Sequence, residues 1–188
     1  MSPEERIAAL PLWRGRPALE PVTAGRTNRN FIVRDEGRRY FARVGADIPV
    51  HGISRTAERR CAMLAAEAAI APEVVFADGG IMITAYAEGE ALSSASAGAP
   101  DLLPLIAGLL KNLHSIPVQQ ELPDFCPVAA SQRYLALLSD AELPIPRRRI
   151  AACLALLPNL RAQCLVHGDL IPENFIRQGD RLLLVDWE

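Results

Sequence analysis

Leu165-Val166-His167-Gly168-Asp169-Leu170-Ile171-Pro172-Glu173-Asn174-Phe175-Ile176, closely followed by Leu182-Leu183-Leu184-Val185-Asp186-Trp187-Glu188, is the stretch on which the fold turns. Two β-like runs, Phe175-Ile176-Arg177 and Leu182-Leu183-Leu184-Val185, flank Gly179-Asp180, a pair suited to a two-residue hairpin turn. A turn centred there pairs Gln178 with Arg181 and sets Asn174 opposite Val185. Asn174 and Asp186 then share the open end of one hairpin, roughly 5 to 6 Å apart at the backbone. Asp169 lies on the loop that feeds this end. Two carboxylates and a carboxamide are therefore expected to converge on one point.

Phosphoryl transfer needs such a cluster. Mg²⁺ is a hard cation that takes oxygen ligands, and Asn174 with Asp186 would supply them without a closed protein cage. The acceptor hydroxyl must be oriented and its proton accepted, which suits a second, non-ligating acid, Asp169. The expected catalytic residues are thus Asp169 and Asn174, and the expected metal ligands Asn174 and Asp186. His167 is read as packing beneath the loop and not as a catalyst. The spacing H-x-D-x-x-x-x-N resembles the catalytic loop of kinases.

Upstream, Phe31-Ile32-Val33 and Tyr40-Phe41-Ala42-Arg43-Val44 flank a turn at Asp35-Glu36-Gly37-Arg38. A helix is expected over 54–70, with Ser54 as its cap and Ala57, Cys61, Leu64 and Ala68 at helical spacing. Val74-Val75-Phe76 and Ile81-Met82-Ile83-Thr84 read as two further strands joined by Asp78-Gly79-Gly80. Strand, strand, helix, strand, strand makes an antiparallel sheet carrying one helix. Beyond a small-residue break at 93–100 the chain turns helical, with candidates over 102–116, 127–143 and 147–161. The fold class is α+β: an N-terminal lobe over 1–90 that binds nucleotide, and a partial, mainly helical catalytic lobe over 91–188 meeting it at a cleft.

Composition narrows the classes. Half of the 188 residues are apolar, and 20 Lys and Arg against 22 Asp and Glu leave a net charge of −2, which carries no basic excess for nucleic acid. No apolar stretch reaches the roughly 20 residues of a membrane span, and Met1-Ser2-Pro3-Glu4-Glu5-Arg6 shows no secretory signal. Cys61, Cys126, Cys153 and Cys164 lack C-x-x-C spacing and read as buried reduced thiols, with a cytoplasmic location and no zinc site.

"VHGDLIPENFI" followed by "LLLVDWE" resembles the choline/ethanolamine kinase-like branch of the aminoglycoside phosphotransferase superfamily, whose fold is protein-kinase-like. Asp186-Trp187-Glu188 stands where protein kinases carry D-F-G, and Gly25-Arg26-Thr27-Asn28-Arg29-Asn30-Phe31 is similar to the branch's G-x-T-N-x-N-[FY] nucleotide loop. The resemblance runs from about residue 22 to 188. It implies ATP and Mg²⁺ as cofactors and a small-molecule alcohol as partner, with no nucleic acid, no membrane span and no obligate protein partner. Residue by residue it implies that Arg43 contacts nucleotide phosphates and that Glu58 pairs with it; the alternative is an edge-strand arginine and an ordinary surface acid. Thr27 and Asn28 would offer backbone N–H groups to phosphate, and Tyr86 would lie at the adenine hinge. The implied activity is transfer of the γ-phosphate of ATP to choline, ethanolamine or a similar amino alcohol. Thiamine or aminoglycoside kinase, or a non-catalytic nucleotide-binding module, stays open.

The sequence departs from the branch's pattern in one respect. Family members continue past the metal motif with a G-x-x-x-x-D-[LI]-A-like segment and helices bearing the acceptor site, whereas this sequence ends at Glu188. A fragment of a longer reading frame or a shortened homologue is expected. The 188-residue form is expected to be weakly active or inactive.

Overall fold

The computed structural model describes residues 1–23, 28–117, 122–123, 126–157 and 164–187. Strands β1 (Ala18–Val22), β2 (Arg29–Asp35), β3 (Arg38–Val44), β4 (Val74–Asp78) and β5 (Ile81–Ala85) form an antiparallel sheet in the order β1-β2-β3-β5-β4. At the β2–β3 turn Asp35 pairs with Arg38, and Glu36 and Gly37 both take positive φ, as a type I′ turn demands.

Residue alternation gives this sheet two different faces. Phe31 and Val33, Ala42 and Val44, and Ile81 and Ile83 form one core together with Ile7. Their neighbours Ile32, Phe41, Arg43, Met82 and Thr84 face a cleft on the other side. Ile7 belongs to α1 (Pro3–Ala8), which Ser2 and Glu5 close with a reciprocal capping box.

Neither α1 nor β1 was expected from the sequence, and the reason is physical. A helix of 6 residues is marginal on its own, and burial of Ile7 against the sheet is what holds it. Strand β1 contains Pro21, which removes a ladder donor and argues against a strand, yet β1 is an edge strand, where proline is tolerated.

Helix α2 (Arg55–Glu67) starts at Ser54, whose Oγ accepts the Ala57 N–H at 3.4 Å. It stops before residue 70 because Ala69 takes positive φ and the Ile70 N–H reaches back to the Ala65 carbonyl. Its inner residues Ala62, Leu64 and Ala65 enter a second core. That core also contains Leu109 and Leu113 of α3 (Leu103–His114), together with Phe175, Leu182, Leu184 and Trp187. β6 (Glu90–Ala91), β7 (Phe175–Gln178) and β8 (Arg181–Leu184) make a small sheet in the order β6-β7-β8. Its hairpin has the expected register, with Gln178 opposite Arg181.

Two helices are shorter than their patterns suggest. α4 (Pro127–Leu137) ends well before residue 143, because the Arg147 guanidinium donates to the Leu135 and Leu138 carbonyls and a capping box between Ser139 and Glu142 starts a separate 3₁₀ turn. α5 (Arg147–Leu156) ends where Leu157 turns extended, with φ −74° and ψ 135°. Neither buries a residue, and Leu137, Ile145, Leu156 and Leu157 are exposed. The expected burial of the thiols is corrected accordingly. Cys153 on α5 is exposed and the other three are half-buried, all four being free. Among the described residues no helix is long and apolar enough to cross a membrane.

Candidate active site

The hairpin end is assembled from the backbone outward. The Val185 N–H donates to the Asn174 carbonyl at 2.9 Å, which extends the β7–β8 ladder by one step and carries Asp186 to the same end as Asn174. Asp186 then takes φ 66°, a left-handed conformation that Asp tolerates better than most residues. The side-chain amide of Asn174 donates to the Asp169 carbonyl at 2.9 Å and approaches Asp169 Oδ2 at 3.4 Å. Asp169, Asn174 and Asp186 are thus brought together. Asn174 and Asp186 line the cleft, and exposed Asp169 stands one hydrogen bond further out.

His167 anchors the loop from below. Its Nε2 donates to the Val185 carbonyl at 2.9 Å, and its Nδ1 accepts the Asp169 N–H at 3.3 Å. The ring packs edge-on against Trp187 with centroids 4.6 Å apart. Burial holds its pKa below the ordinary imidazole range, against the opposing pull of the Val185 carbonyl and the carboxylates of Asp186 and Asp169. The Trp187 indole N–H donates to the Leu184 carbonyl at 3.0 Å, so this tryptophan is a packing element.

Arg43 sits opposite on the floor of the sheet. It is only 6% exposed and makes ion pairs with Glu58 and Asp186 at once, with a further bond to the Trp187 carbonyl at 3.3 Å. Glu58, 2% exposed, is held on its other oxygen by Arg55. A buried arginine needs such partners. Burial alone would depress the Arg43 pKa, and the carboxylates of Asp186 and Glu58 overcome it and raise the pKa.

The cleft between these groups has a volume of about 360 Å³ and is walled by apolar side chains, among them Val22, Ile32, Phe41, Met82 and Ile176. Tyr86 lines it at the end of β5, with the Arg39 guanidinium 4.4 Å from its ring centroid. Asn28 sits beside Gly45 at the far end of β3 and does not line the cleft, whereas Asn30 does. Thr27 lies outside the described residues.

The donor set suits a hard cation. With its amide N–H₂ spent on Asp169, Asn174 offers Oδ1, and Asp186 offers a carboxylate 47% exposed at the rim. Among the described residues no three His, Cys, Asp or Glu gather around one point. Such a set fits an ion that shares its shell with phosphate and water, as Mg²⁺ does.

The model of the phosphotransferase enzyme family matches residues 18–188. The chain belongs to this family. No curated protein matches it by sequence. Among solved structures this phosphotransferase-family chain is similar to a choline/ethanolamine kinase family protein from Mesorhizobium loti, at 28% identity and TM-score 0.68 over 98% of this chain and 63% of that one. It is similar also to choline kinase LicA from Streptococcus pneumoniae, at 25% identity and TM-score 0.73 over 98% of this chain and 66% of that one. A thermostable mutant of aminoglycoside phosphotransferase APH(4)-Ia, in ternary complex with AMP-PNP and hygromycin B, shares the fold at 19% identity and TM-score 0.64, over 100% of this chain and 71% of that one. The chain spans less than two thirds of the length of the first two. Its α+β architecture is the protein-kinase-like fold of these neighbours.

Within this family chain, sequence reasoning missed Arg55, although its i,i+3 spacing to Glu58 on a helix is a readable signal. It also missed Arg39, whose ring contact and ion pair with Glu88 join residues far apart in the sequence and leave no local trace.

Proposed function

We propose that the chain carries the nucleotide-binding lobe (1–90) and part of the catalytic lobe (91–188) of an ATP-dependent kinase acting on a small amino alcohol such as choline or ethanolamine. The observation that carries this reading is buried Arg43 joining Glu58 to Asp186 in an apolar cleft that Asn174 also lines. The apolar walls suit a purine, and Tyr86 and Arg43, which line the same cleft, would meet its edge and its phosphates. Support for the acceptor class comes from the names of the Mesorhizobium loti and Streptococcus pneumoniae proteins. An aminoglycoside acceptor has less behind it, because the hygromycin B complex shares the fold at only 19% identity.

In the reaction the acceptor oxygen forms a bond to the γ-phosphorus, the bond from that phosphorus to the β–γ bridging oxygen breaks, and ADP leaves. Asp169 takes the proton of the acceptor hydroxyl; Asn174 holds the Asp169 loop in place through its amide. Asn174 Oδ1 and the Asp186 carboxylate would hold a Mg²⁺ ion, which when bound would neutralise phosphate charge.

Asp186→Ala is expected to abolish Mg²⁺-dependent nucleotide binding in a calorimetric titration. Asp169→Ala is expected to bind nucleotide like the unsubstituted chain and, in a full-length parent, to lower transfer to choline or ethanolamine by about 10²-fold or more. Nucleotide binding indifferent to Asp186→Ala would overturn the assignment.

A further inference from the structure

The connection between β3 and α2 is a small closed loop. Ile48 and Ile53 exchange backbone hydrogen bonds at 3.0 and 3.1 Å, and a 3₁₀ turn at Pro49–His51, ended by Gly52 at φ 76°, forms the tip between them. The base of the loop is tied to the start of α2. Asp47 accepts the Arg55 backbone N–H at 2.7 Å, and the Ala46 carbonyl accepts the Arg55 Nε–H at 3.0 Å. Arg55 in turn pairs with Glu58, the partner of Arg43.

The tip is held from far along the chain. α4 packs on it, with Tyr134 Oη and His51 Nδ1 sharing a hydrogen bond at 3.0 Å and the two rings tilted against each other at 5.7 Å between centroids. Beside them the Arg133 guanidinium lies over Gly52, its Nη2 2.7 Å from where a β-carbon would stand. α4 buries no residue, so this grip is not the edge of a core. His51 and Tyr134 are both exposed, and one hydrogen bond with one ring contact in water is weak enough to break and re-form. Because the Ile48–Ile53 pair closes the loop, its tip and base move as one piece. We propose that α4 is a clamp on the β3–α2 loop, through which Tyr134 positions α2 and with it Glu58 beside Arg43. Every step of this coupling is a bonded or packed contact: Tyr134 to His51, the loop to Arg55, Arg55 to Glu58. Its effect on ligand binding rests on the nucleotide reading of the cleft; the mechanical coupling does not.

Hydrogen exchange and ADP titration together test the clamp. Tyr134→Phe keeps the ring and removes the bond to His51. In the nucleotide-free chain it is expected to speed exchange of the amides of residues 53–58 about threefold or more, with those of β7 and β8 unchanged. In calorimetry it is expected to weaken ADP about threefold and to leave adenosine binding as it was, because Glu58 acts through the arginine that would meet the phosphates. His51→Ala breaks the same bond from the other side, so it should give the same changes, and the double variant should add nothing to either. In a Glu58→Gln background Tyr134→Phe should no longer weaken ADP. If one of the two single variants does not fold by circular dichroism, the other decides. Exchange at 53–58 that does not move overturns the clamp. Faster exchange with unchanged ADP affinity, or a loss of ADP affinity that persists in full in Glu58→Gln, overturns the positioning of Glu58. An unsubstituted chain that binds no ADP sinks the nucleotide reading instead, and the clamp then stands or falls on exchange alone.

Discussion

The imidazole of His167 accepts the Asp169 N–H at Nδ1 and donates to the Val185 carbonyl at Nε2, a pattern that only the neutral ring satisfies. Burial lowers its pKa in the folded chain, so below the ordinary value of about 6.5 the unfolded state binds a proton that the folded state refuses. The contribution of His167 to stability is therefore complete above about pH 6.5 and is lost as pH falls from there through the lowered folded value. The urea midpoint is expected to fall more steeply between about pH 7.5 and about pH 5.5 in the unsubstituted chain than in His167→Gln, which cannot titrate. Parallel slopes would show that the ring is charged, or indifferent, in the folded state. Protonation would also cost the Asp169 N–H its acceptor, so the same ring links loop geometry to pH.

At the scale of elements, the segment leading into β6 crosses the hairpin closely enough to exclude a side chain. Gly89 has φ 140°, and a Cβ added there would stand 2.1 Å from the Arg177 carbonyl oxygen, a backbone atom that cannot move aside cheaply. Leu92, just beyond β6, donates its N–H to the Phe175 carbonyl at 2.9 Å, at the foot of the strand that carries the site. Gly89→Ala is expected to destabilise the chain by about 1–3 kcal/mol. Hydrogen exchange should show the Leu92 amide losing protection first. An unchanged urea midpoint together with unchanged protection of Leu92 would mean that the crossing is not tight in solution.

Across the whole molecule, α2 and the β7–β8 hairpin bury their apolar faces in the same core, while the sheet's other face closes over α1. Val74 of β4 and Met82 of β5 pack against that shared core, and Phe76 and Ile81 of the same strands against the other. Two cores that share strands should melt together. Trp13 reports on the core around α1 and Trp187 on the core around the hairpin. In Trp187→Phe and Trp13→Phe variants, each left with a single tryptophan, emission relative to each variant's own circular-dichroism midpoint is expected to show no offset. Separate transitions would mean that the two cores are independent units. By contrast α4 and α5 bury no residue, so no burial pattern in the sequence marks where α4 ends, and the expected end of α5 at residue 161 lies outside the described residues.

Elements whose signals are local could be read along the chain. Gly179-Asp180 set the hairpin register that brings Asn174 and Asp186 to one end, Ser54 set the start of α2, and alternation along 31–33 and 40–44 set the sheet. These signals are short-range because turn geometry and side-chain period act within a few residues. Tertiary structure decided the rest. That Arg43 reaches Asp186 across 143 positions of chain, that Arg39 lies over Tyr86, that Ile7 makes a helix of 6 residues stable, and that Pro21 sits in an edge strand are all consequences of what packs against what. A charge inside a strand announces that it needs a partner, but only the closed fold, by removing water from around it, selects which partner it finds.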